Sequence, residues 1–278
     1  MSHEDRPSRI DATSRLEPLP EYLLGGVRIH ALSEDDCVRH VVESCRQGRG
    51  GWVITPNVDF LERSRRDPSF RGLLRAASLS VPDGMPLVWA ARIAGDPVHE
   101  RVAGSDLISS LCASAADRGL SVFLLGGNEG TADAAAKVLT DRHPGLRVAG
   151  CLCPPMGFET DDRELGRIKT ALTAARPDLV FVGLGSPKSE RLIASLQLTD
   201  RQTLSHTWWA GVGVSFSFLC GEIERAPVVL RRLGLEWAHR LWKEPRRLAG
   251  RYLVRDLPFA VTLLVRALAR RVRRLAEV

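Results

Sequence analysis

The chain has 278 residues, of which 44% are hydrophobic and 26% are charged. This ordinary globular composition excludes a wholly disordered chain, a collagen-like fibre and a disulfide-rich scaffold, and a mean hydropathy of −0.07 excludes a multispan membrane protein. The first twenty residues are polar and lack the apolar core of a signal peptide, so we expect a loose tail over residues 1–20 of a cytoplasmic protein.

Short apolar strands then alternate with amphipathic helices. Strands are predicted at residues 26–32, 51–55, 79–81, 121–125, 147–151, 179–182 and 207–210. Helices are predicted at residues 33–45, after 57, from 84 to 93, at 105–118 with Ser105 as the cap, at 131–142, at 161–175 and from about 187. The alternation predicts a Rossmann-like α/β domain over residues 21–222, in which a parallel sheet carries helices on both faces.

Residues 223–278 form a different, basic segment. Three helices are predicted there, at 228–243, 246–256 and 258–275, separated by prolines. From Arg225 onwards fourteen basic residues stand against four acidic ones, a net charge of +10, whereas the rest of the chain carries −4. The asymmetry predicts a helical appendage that meets an anionic partner: a membrane surface, a phosphorylated substrate or nucleic acid.

The last predicted helix is amphipathic. Its apolar residues at helical spacing are Leu257, Val261, Leu264, Leu268, Val272 and Leu275, and its arginines on the opposite side are Arg266, Arg270 and Arg273. This pattern is typical of a helix that lies in a membrane interface. The alternative is a helix that packs on its own domain or on a partner.

Glycine-rich turns follow two of the predicted strands, and ligands bind at such strand ends in open parallel sheets. Gly126 and Gly127 precede a helix start that favours phosphate oxygens, and a tight turn without a ligand fits them equally well. The candidates in the second turn are Gly183, Gly185, Pro187, Lys188 and Glu190. Lys188 is placed to meet a diphosphate and Glu190 to accept hydrogen bonds from ribose, with a capped helix start as the alternative.

Polar residues follow two other strands. Thr55 is expected to point into the cleft at the strand ends, and Asn57 either lines that cleft or caps the next helix. Asp83 is the strongest candidate for a general base, although an Asp before Gly is often only a turn residue. Asp106, near Arg101, is a second candidate, but the first turn of a helix suits an Asp electrostatically in any case.

Eight motifs occur along the chain in this order: TPNVDF at 55–60, PDGMP at 82–86, ERVAGSDL at 100–107, FLLGG at 123–127, PDLVFVGLGSPKSE at 177–190, GVGVSFSFLCG at 211–221, RAP at 225–227 and GLEWAHRLWKEPRRLAGRYL at 234–253. Together they resemble the bacterial WecG/TagA/CpsF family, glycosyltransferase family 26. The family usually has Gln where Ser189 stands and often Asp where Ser217 stands.

The resemblance implies an inverting transfer of a sugar from a UDP donor to a lipid-diphosphate-linked saccharide at the cytoplasmic membrane face, as in cell-surface polysaccharide or teichoic-acid synthesis. The sugar is expected to be N-acetylmannosamine, its uronic acid or a hexose. No catalytic metal or other cofactor is expected. Consistently, Cys151 and Cys153, the only close cysteine pair, have no further ligand at zinc spacing.

The resemblance also assigns roles to individual residues. Asp83 becomes the base that deprotonates the acceptor hydroxyl, with Thr55 and Asn57 in the same cleft. The two glycine-rich turns are expected to hold UDP. The remaining residues expected to contact substrate are Arg101, Asp106, Gly211, Arg225, Arg240, Arg247 and Arg251.

Two other functions fit parts of the sequence. A NAD(P)-dependent oxidoreductase shares the predicted architecture, but neither glycine-rich turn matches the G-x-G-x-x-G fingerprint. A non-enzymatic, basic membrane-binding adaptor would account for the appendage but not for the polar residues at the strand ends. A nucleic-acid partner is not expected, because the basic helices lack interleaved aromatic residues, and a homo-oligomer is left open.

Overall fold

The computed structural model describes residues 19–200, 203–232 and 234–276, so most of the predicted tail lies outside the described residues. Eight strands occur in them: β1 (Glu21–Leu24), β2 (Val27–His30), β3 (Gly51–Ile54), β4 (Leu79–Ser80), β5 (Ser121–Gly126), β6 (Arg147–Leu152), β7 (Leu179–Gly183) and β8 (Trp208–Gly211). Strands β3 to β8 form one parallel sheet in the order β4-β3-β8-β7-β5-β6. The predicted α/β class is therefore confirmed.

Thirteen α-helices flank the sheet or follow it in the described ranges: α1 (Glu34–Arg46), α2 (Val58–Arg66), α3 (Pro68–Ala76), α4 (Met85–Ala94), α5 (Gly104–Asp117), α6 (Thr131–Arg142), α7 (Asp162–Ala175), α8 (Lys188–Thr199), α9 (Ser215–Leu219), α10 (Val228–Arg232), α11 (Glu236–Lys243), α12 (Pro245–Ala249) and α13 (Leu257–Ala276). A 3₁₀ turn, Phe158–Thr160, precedes α7, and a π-helical segment, Gly250–Asp256, joins α12 to α13.

Five of the six strands are buried on both faces, which is why they are apolar at nearly every position, whereas the edge strand β6 is partly exposed. Successive residues of a strand point to opposite faces. Along β7, Val180 and Val182 therefore pack in one hydrophobic cluster, while Leu179 and Phe181 pack in the other. The first cluster also contains residues of α2, α3, α4, α7, α8 and α13, and the second contains residues of α1, α5, α6 and α9.

The structure corrects two expectations in the core domain. The strand predicted at residues 26–32 pairs with β1 in an antiparallel hairpin outside the parallel sheet, because Gly25 and Gly26, both at positive φ, make a two-residue turn. Ser105 does not cap α5. That helix begins one residue earlier, because the Ala103 carbonyl already accepts hydrogen bonds from the amides of Asp106 and Leu107.

The appendage also differs from the predicted three helices. Residues 228–243 are split between α10 and α11, and Gly234, at φ +75°, lies between the two helices with its backbone against Met85. Pro258 does not separate two helices. It is the second residue of α13, directly after the π-helical segment, and a proline in the first turn of a helix is tolerated, so the chain stays helical through α13. The domain division at residue 222 stays a prediction.

Helix α13 packs along α4 and still presents an apolar stripe to solvent. Ala260, Leu263 and Ala267 are buried, and Arg270 and Arg274 pair with the almost fully buried carboxylate of Asp96. The exposed apolar residues on its other side are Leu257, Val261, Val265, Leu268, Val272 and Leu275, whereas Leu264 is partly buried against the core. Within the described ranges, no helix is both long and apolar enough to cross a membrane.

Candidate active site

A cleft forms where the carboxyl ends of β3, β4 and β8 meet the start of α5. The Asp83 amide donates to the Pro56 carbonyl at 2.9 Å, which ties the loop after β4 to the loop after β3. A methyl group built on Gly104 would lie 3.2 Å from Thr55 Oγ1 and 3.5 Å from the Gly211 carbonyl oxygen. Thr55, Asp83 and Gly211, predicted separately from three strand ends, therefore lie around one space.

Asn57 caps α2, which confirms one of the two roles predicted for it. Its Oδ1 accepts the Phe60 amide at 3.2 Å, and its Cβ faces Gly84, next to Asp83. The cap holds the side chain at the edge of the cleft, while a contact with substrate stays a prediction.

Asp83 is the acidic group at the centre of the cleft. Its Oδ1 lies 3.5 Å from Arg101 Nη1, and the side chain is 28% exposed. The pKa of its carboxyl is raised to about 6, mainly by burial; Arg101 and Arg240 oppose the rise, and the carboxylates of Glu236 and Asp106 add to it. A carboxylate that is ionised near neutral pH and yet more basic than an ordinary Asp suits general-base chemistry.

An array of arginines and carboxylates surrounds Asp83. Asp106 accepts a bidentate pair of hydrogen bonds from Arg225, at 2.7 and 2.9 Å, and lies 3.3 Å from Arg101 and 3.5 Å from Arg231. These arginines hold its pKa below the usual value, although burial acts in the opposite direction. Asp106 therefore serves as an anchor for arginines, and the base role is better matched by Asp83.

Glu236, at the start of α11, completes the array. Its carboxylate lies 3.6 Å from Arg101 Nη1 and 3.7 Å from Arg225 Nε. Sequence reasoning missed Glu236 and Arg231. The available signal was that Glu236 is an acidic residue in a strongly basic segment, within a motif that carried the family resemblance.

The predicted appendage arginines are not all in this array. Arg225 and Arg240 are near Asp83, and the Arg240 guanidinium lies 5.7 Å from the centre of the Phe218 ring. Arg247 pairs with Glu244 at 2.6 Å and is largely exposed. Arg251 stacks on Tyr252 and lies 3.6 Å from Asp256. The contacts of these last two residues are therefore local to the appendage.

Glu190 lies beside the cleft, at the start of α8. It is 4% exposed, its Oε2 has no hydrogen-bond partner among the described residues, and a methyl group built on Gly211 would lie 3.4 Å from its Oε1. Burial raises its pKa to about 7. Lys188, two residues earlier, instead pairs with Glu159. The preceding Ser186–Pro187 bond is cis, Gly185 has a positive φ, and the Ser189 hydroxyl bonds the backbone of residues 182 and 184.

Three glycines allow the strand ends to approach each other closely. Cβ atoms built on Gly126 and Gly183 would lie 2.7 Å from the Gly183 carbonyl carbon and 2.6 Å from the Phe216 ring, and one on Gly127 would lie 3.0 Å from Thr131. The hydroxyl of Thr131, the first residue of α6, donates a hydrogen bond to Glu222 at 2.6 Å. Close packing is thus sufficient to explain the glycines at 126 and 127, and contact of this turn with UDP stays a prediction.

The comparison with known families matches the chain to the model described as "Glycosyl transferase WecG/TagA/CpsF family" over residues 22–273. The chain belongs to this family. Its transferase class decides against the oxidoreductase and the adaptor. Two relatives share the name N-acetylglucosaminyldiphosphoundecaprenol N-acetyl-beta-D-mannosaminyltransferase. One, from Bacillus spizizenii, is 31% identical over 202 residues, 72% of this chain and 74% of the relative.

The other relative, from Bacillus subtilis strain 168, is 28% identical over 198 residues, 71% of this chain and 73% of the relative. The WecG/TagA/CpsF match extends into α13, so the family relationship covers the appendage as well as the sheet domain. Within the described ranges, no group of three or more His, Cys, Asp or Glu residues is placed to hold a metal ion. Metal-independent transfer stays a prediction.

Proposed function

We propose that this chain transfers N-acetylmannosamine from UDP to N-acetylglucosamine on a polyprenyl-diphosphate acceptor. The names of both relatives support N-acetylmannosamine as the sugar and lipid-diphosphate-linked N-acetylglucosamine as the acceptor. The observation that carries the proposal is the position of Asp83. A carboxyl group with a raised pKa lies at the carboxyl end of the sheet beside four arginines, which is the combination that a proton transfer next to a diphosphate requires.

The reaction is a single displacement with inversion. Asp83 removes the proton from the acceptor hydroxyl while that oxygen forms a bond to the anomeric carbon. The bond from that carbon to the UDP oxygen breaks, and its electron pair leaves with UDP. Asp83 then releases the proton to solvent, which a carboxyl group with a pKa of about 6 does readily at neutral pH.

Arginines of the array stabilise the negative charge that develops on UDP. Arg240 is the best placed of them, because its guanidinium is near Asp83 and has no ion pair with a carboxylate in the described part of the chain. Arg225 is bound to Asp106 and gives the array a fixed shape. A planar guanidinium can donate two parallel hydrogen bonds to phosphate oxygens.

Glu236 acts as a positioning residue for the base. Arg101 Nη1 lies almost equally far from Asp83 and Glu236, at 3.5 and 3.6 Å, so the guanidinium is shared between the two carboxylates. An arginine bound to Asp83 alone would stabilise the carboxylate more strongly and weaken it as a base. Because Glu236 belongs to the appendage, the docking of α11 affects the pKa of Asp83 in the sheet domain.

The membrane surface is the proposed working place of the enzyme. The exposed apolar stripe of α13 supports this, because a lipid interface can bury it while nearby arginines remain among the headgroups. Since the donor is a cytoplasmic class of metabolite, we place the enzyme at the inner face of the plasma membrane as a peripheral protein. A homo-oligomer stays open.

Donor recognition can be tested separately from transfer. UDP and UDP-N-acetylmannosamine at a hundred times their dissociation constants should each stabilise the full chain by about 2.7 kcal/mol, seen as a raised melting temperature. NAD at the same concentration should leave the melting temperature unchanged. Stabilisation by NAD and not by UDP would contradict the proposal.

A further inference from the structure

A groove lined by arginines runs between α13 and the α2–α3 pair, apart from the Asp83 array. It consists of two adjoining cavities of about 290 and 230 Å³, which share Arg65, Phe259, Thr262 and Arg266. The charged residues that line it are Arg65, Arg66, Arg71, Arg75, Arg255, Arg266 and Glu62. The groove therefore has six positive charges and one negative charge, and a bound anion would reduce the repulsion among the arginines.

Half of these arginines already have partners in the protein. Arg65 and Arg66 pair with Glu62, and Arg71 donates to the carbonyls of Ser64 and Arg65 at the end of α2. Arg71 therefore helps to build the wall of the groove. Its wall is continued by the Gly25-Gly26 turn of the β1–β2 hairpin.

The other three arginines are available to a ligand. Within the described ranges, Arg75, Arg255 and Arg266 take part in no ion pair within 4 Å and in no side-chain hydrogen bond. They come from α3, from the π-helical segment and from α13, so the fold brings them together from three places in the chain. Guanidinium groups that line one groove can donate hydrogen bonds to the oxygens of a phosphate group.

The groove is also partly apolar. Phe259 and Leu263 line it, and Val254 at its mouth is 72% exposed. The exposed apolar stripe of α13 lies on the same helix. Arg266 lies on the side of α13 away from the stripe, and the exposed Val254 marks the mouth of the groove. A bilayer that receives Val254 would bring its headgroups to this mouth, since long basic side chains near an interface extend to the phosphate layer.

We propose that this groove binds the phosphate headgroup of an anionic phospholipid. The proposal rests on the membrane association proposed above and gives it a defined site. The stripe supplies apolar contact with any bilayer, whereas the groove makes binding depend on lipid charge. Arg75 and Arg266 are the residues expected to contact the phosphate.

The test compares full-length proteins in co-sedimentation with vesicles. Vesicles of phosphatidylcholine with and without phosphatidylglycerol are titrated at fixed salt with the wild type and with the double variant R75Q/R266Q. A matched control, R118Q/R142Q, removes the same charge from exposed positions at the ends of α5 and α6. Melting temperatures of all three proteins establish that they are folded.

We expect R75Q/R266Q to weaken binding to phosphatidylglycerol vesicles by roughly thirty-fold, from about 1 kcal/mol per basic residue at an anionic surface. The control should lose less than about threefold, since α5 and α6 pack on the other face of the sheet from α2, α3 and α13. Equal losses in the two variants would overturn the groove while leaving membrane association intact. A wild type that binds neither vesicle would overturn both proposals.

A soluble anion distinguishes a lipid site from a site for free phosphate. Glycerol 3-phosphate at millimolar concentration should leave the melting temperature of the wild type unchanged, because the proposed site needs the bilayer to supply the ligand at high local density. A rise that R75Q/R266Q abolishes and R118Q/R142Q keeps would assign the groove to a free phosphate ester and overturn the lipid proposal.

Discussion

Replacing Asp83 by Asn tests the base most sharply. The variant keeps the shape of the side chain but cannot accept the proton. With a pKa of about 6, Asp83 is ionised in about ten of eleven molecules at pH 7. General-base catalysis contributes about 10²–10⁴-fold, so we expect turnover to fall by that factor while the dissociation constant of UDP changes by less than about threefold.

The same substitution should raise stability. Burial is the main cause of the raised pKa, so folding disfavours the ionised carboxylate, and at pH 7 this costs roughly 1–3 kcal/mol in a side chain that keeps some exposure. The contribution of Asp83 to stability therefore grows as pH falls from 7 through 6 toward 4. D83N should be more stable than the wild type at pH 7 and should lose that advantage at pH 4.

The assay is UDP release measured over a range of donor and acceptor concentrations, which gives both kcat and kcat/KM, together with urea unfolding at both pH values. In the wild type, kcat/KM should fall tenfold per pH unit below about 6, because the protonated carboxyl is inactive. Near-native turnover by D83N would refute the reasoning. A large loss of stability in D83N at pH 7 would show that the carboxylate stabilises the fold, contrary to the predicted gain.

Three further changes probe the surroundings of the site. Glu236→Gln removes a charge that raises the pKa of Asp83 and leaves Nη1 of Arg101 to Asp83 alone, so the acidic limb of kcat/KM should move to lower pH; an upward shift would contradict this. Gly183→Ala places a methyl group 2.6 Å from Phe216 and should lower the free energy of unfolding in urea by about 1–3 kcal/mol. The control Gly166→Ala adds a methyl group in open space on α7 and should raise it by about 0.5–1 kcal/mol. Asp96→Asn should cost about 1–2 kcal/mol and speed hydrogen exchange in α13, because Arg270 and Arg274 lose their shared carboxylate; unchanged exchange would locate the anchoring of α13 elsewhere.

The parallel sheet was predictable because its strands are buried on both faces. Runs such as residues 179–182 are apolar throughout and alternate with amphipathic helices, which is the pattern of a parallel sheet covered by helices on both faces. Thr55 and Asp83 were predictable for a related reason: both follow strands of this kind, and the carboxyl ends of parallel strands share one edge.

The array around Asp83 was not predictable in full. Whether Glu236 or Arg247 reaches the cleft depends on how α10 and α11 dock beside α4, and that is set by contacts such as Gly234 against Met85, which no periodicity encodes. The prediction from Pro258 was wrong because a proline in the first turn of one helix does not show whether another helical segment runs directly into it. The positions of arginines thus required the packed structure.

Transfer itself is tested most directly by UDP release from UDP-N-acetylmannosamine, with a short-chain lipid-diphosphate N-acetylglucosamine acceptor and EDTA present. The account predicts UDP release that depends on the acceptor, persists in EDTA and is lost in D83N. Release that stops with EDTA, or that proceeds equally well in D83N, would contradict it.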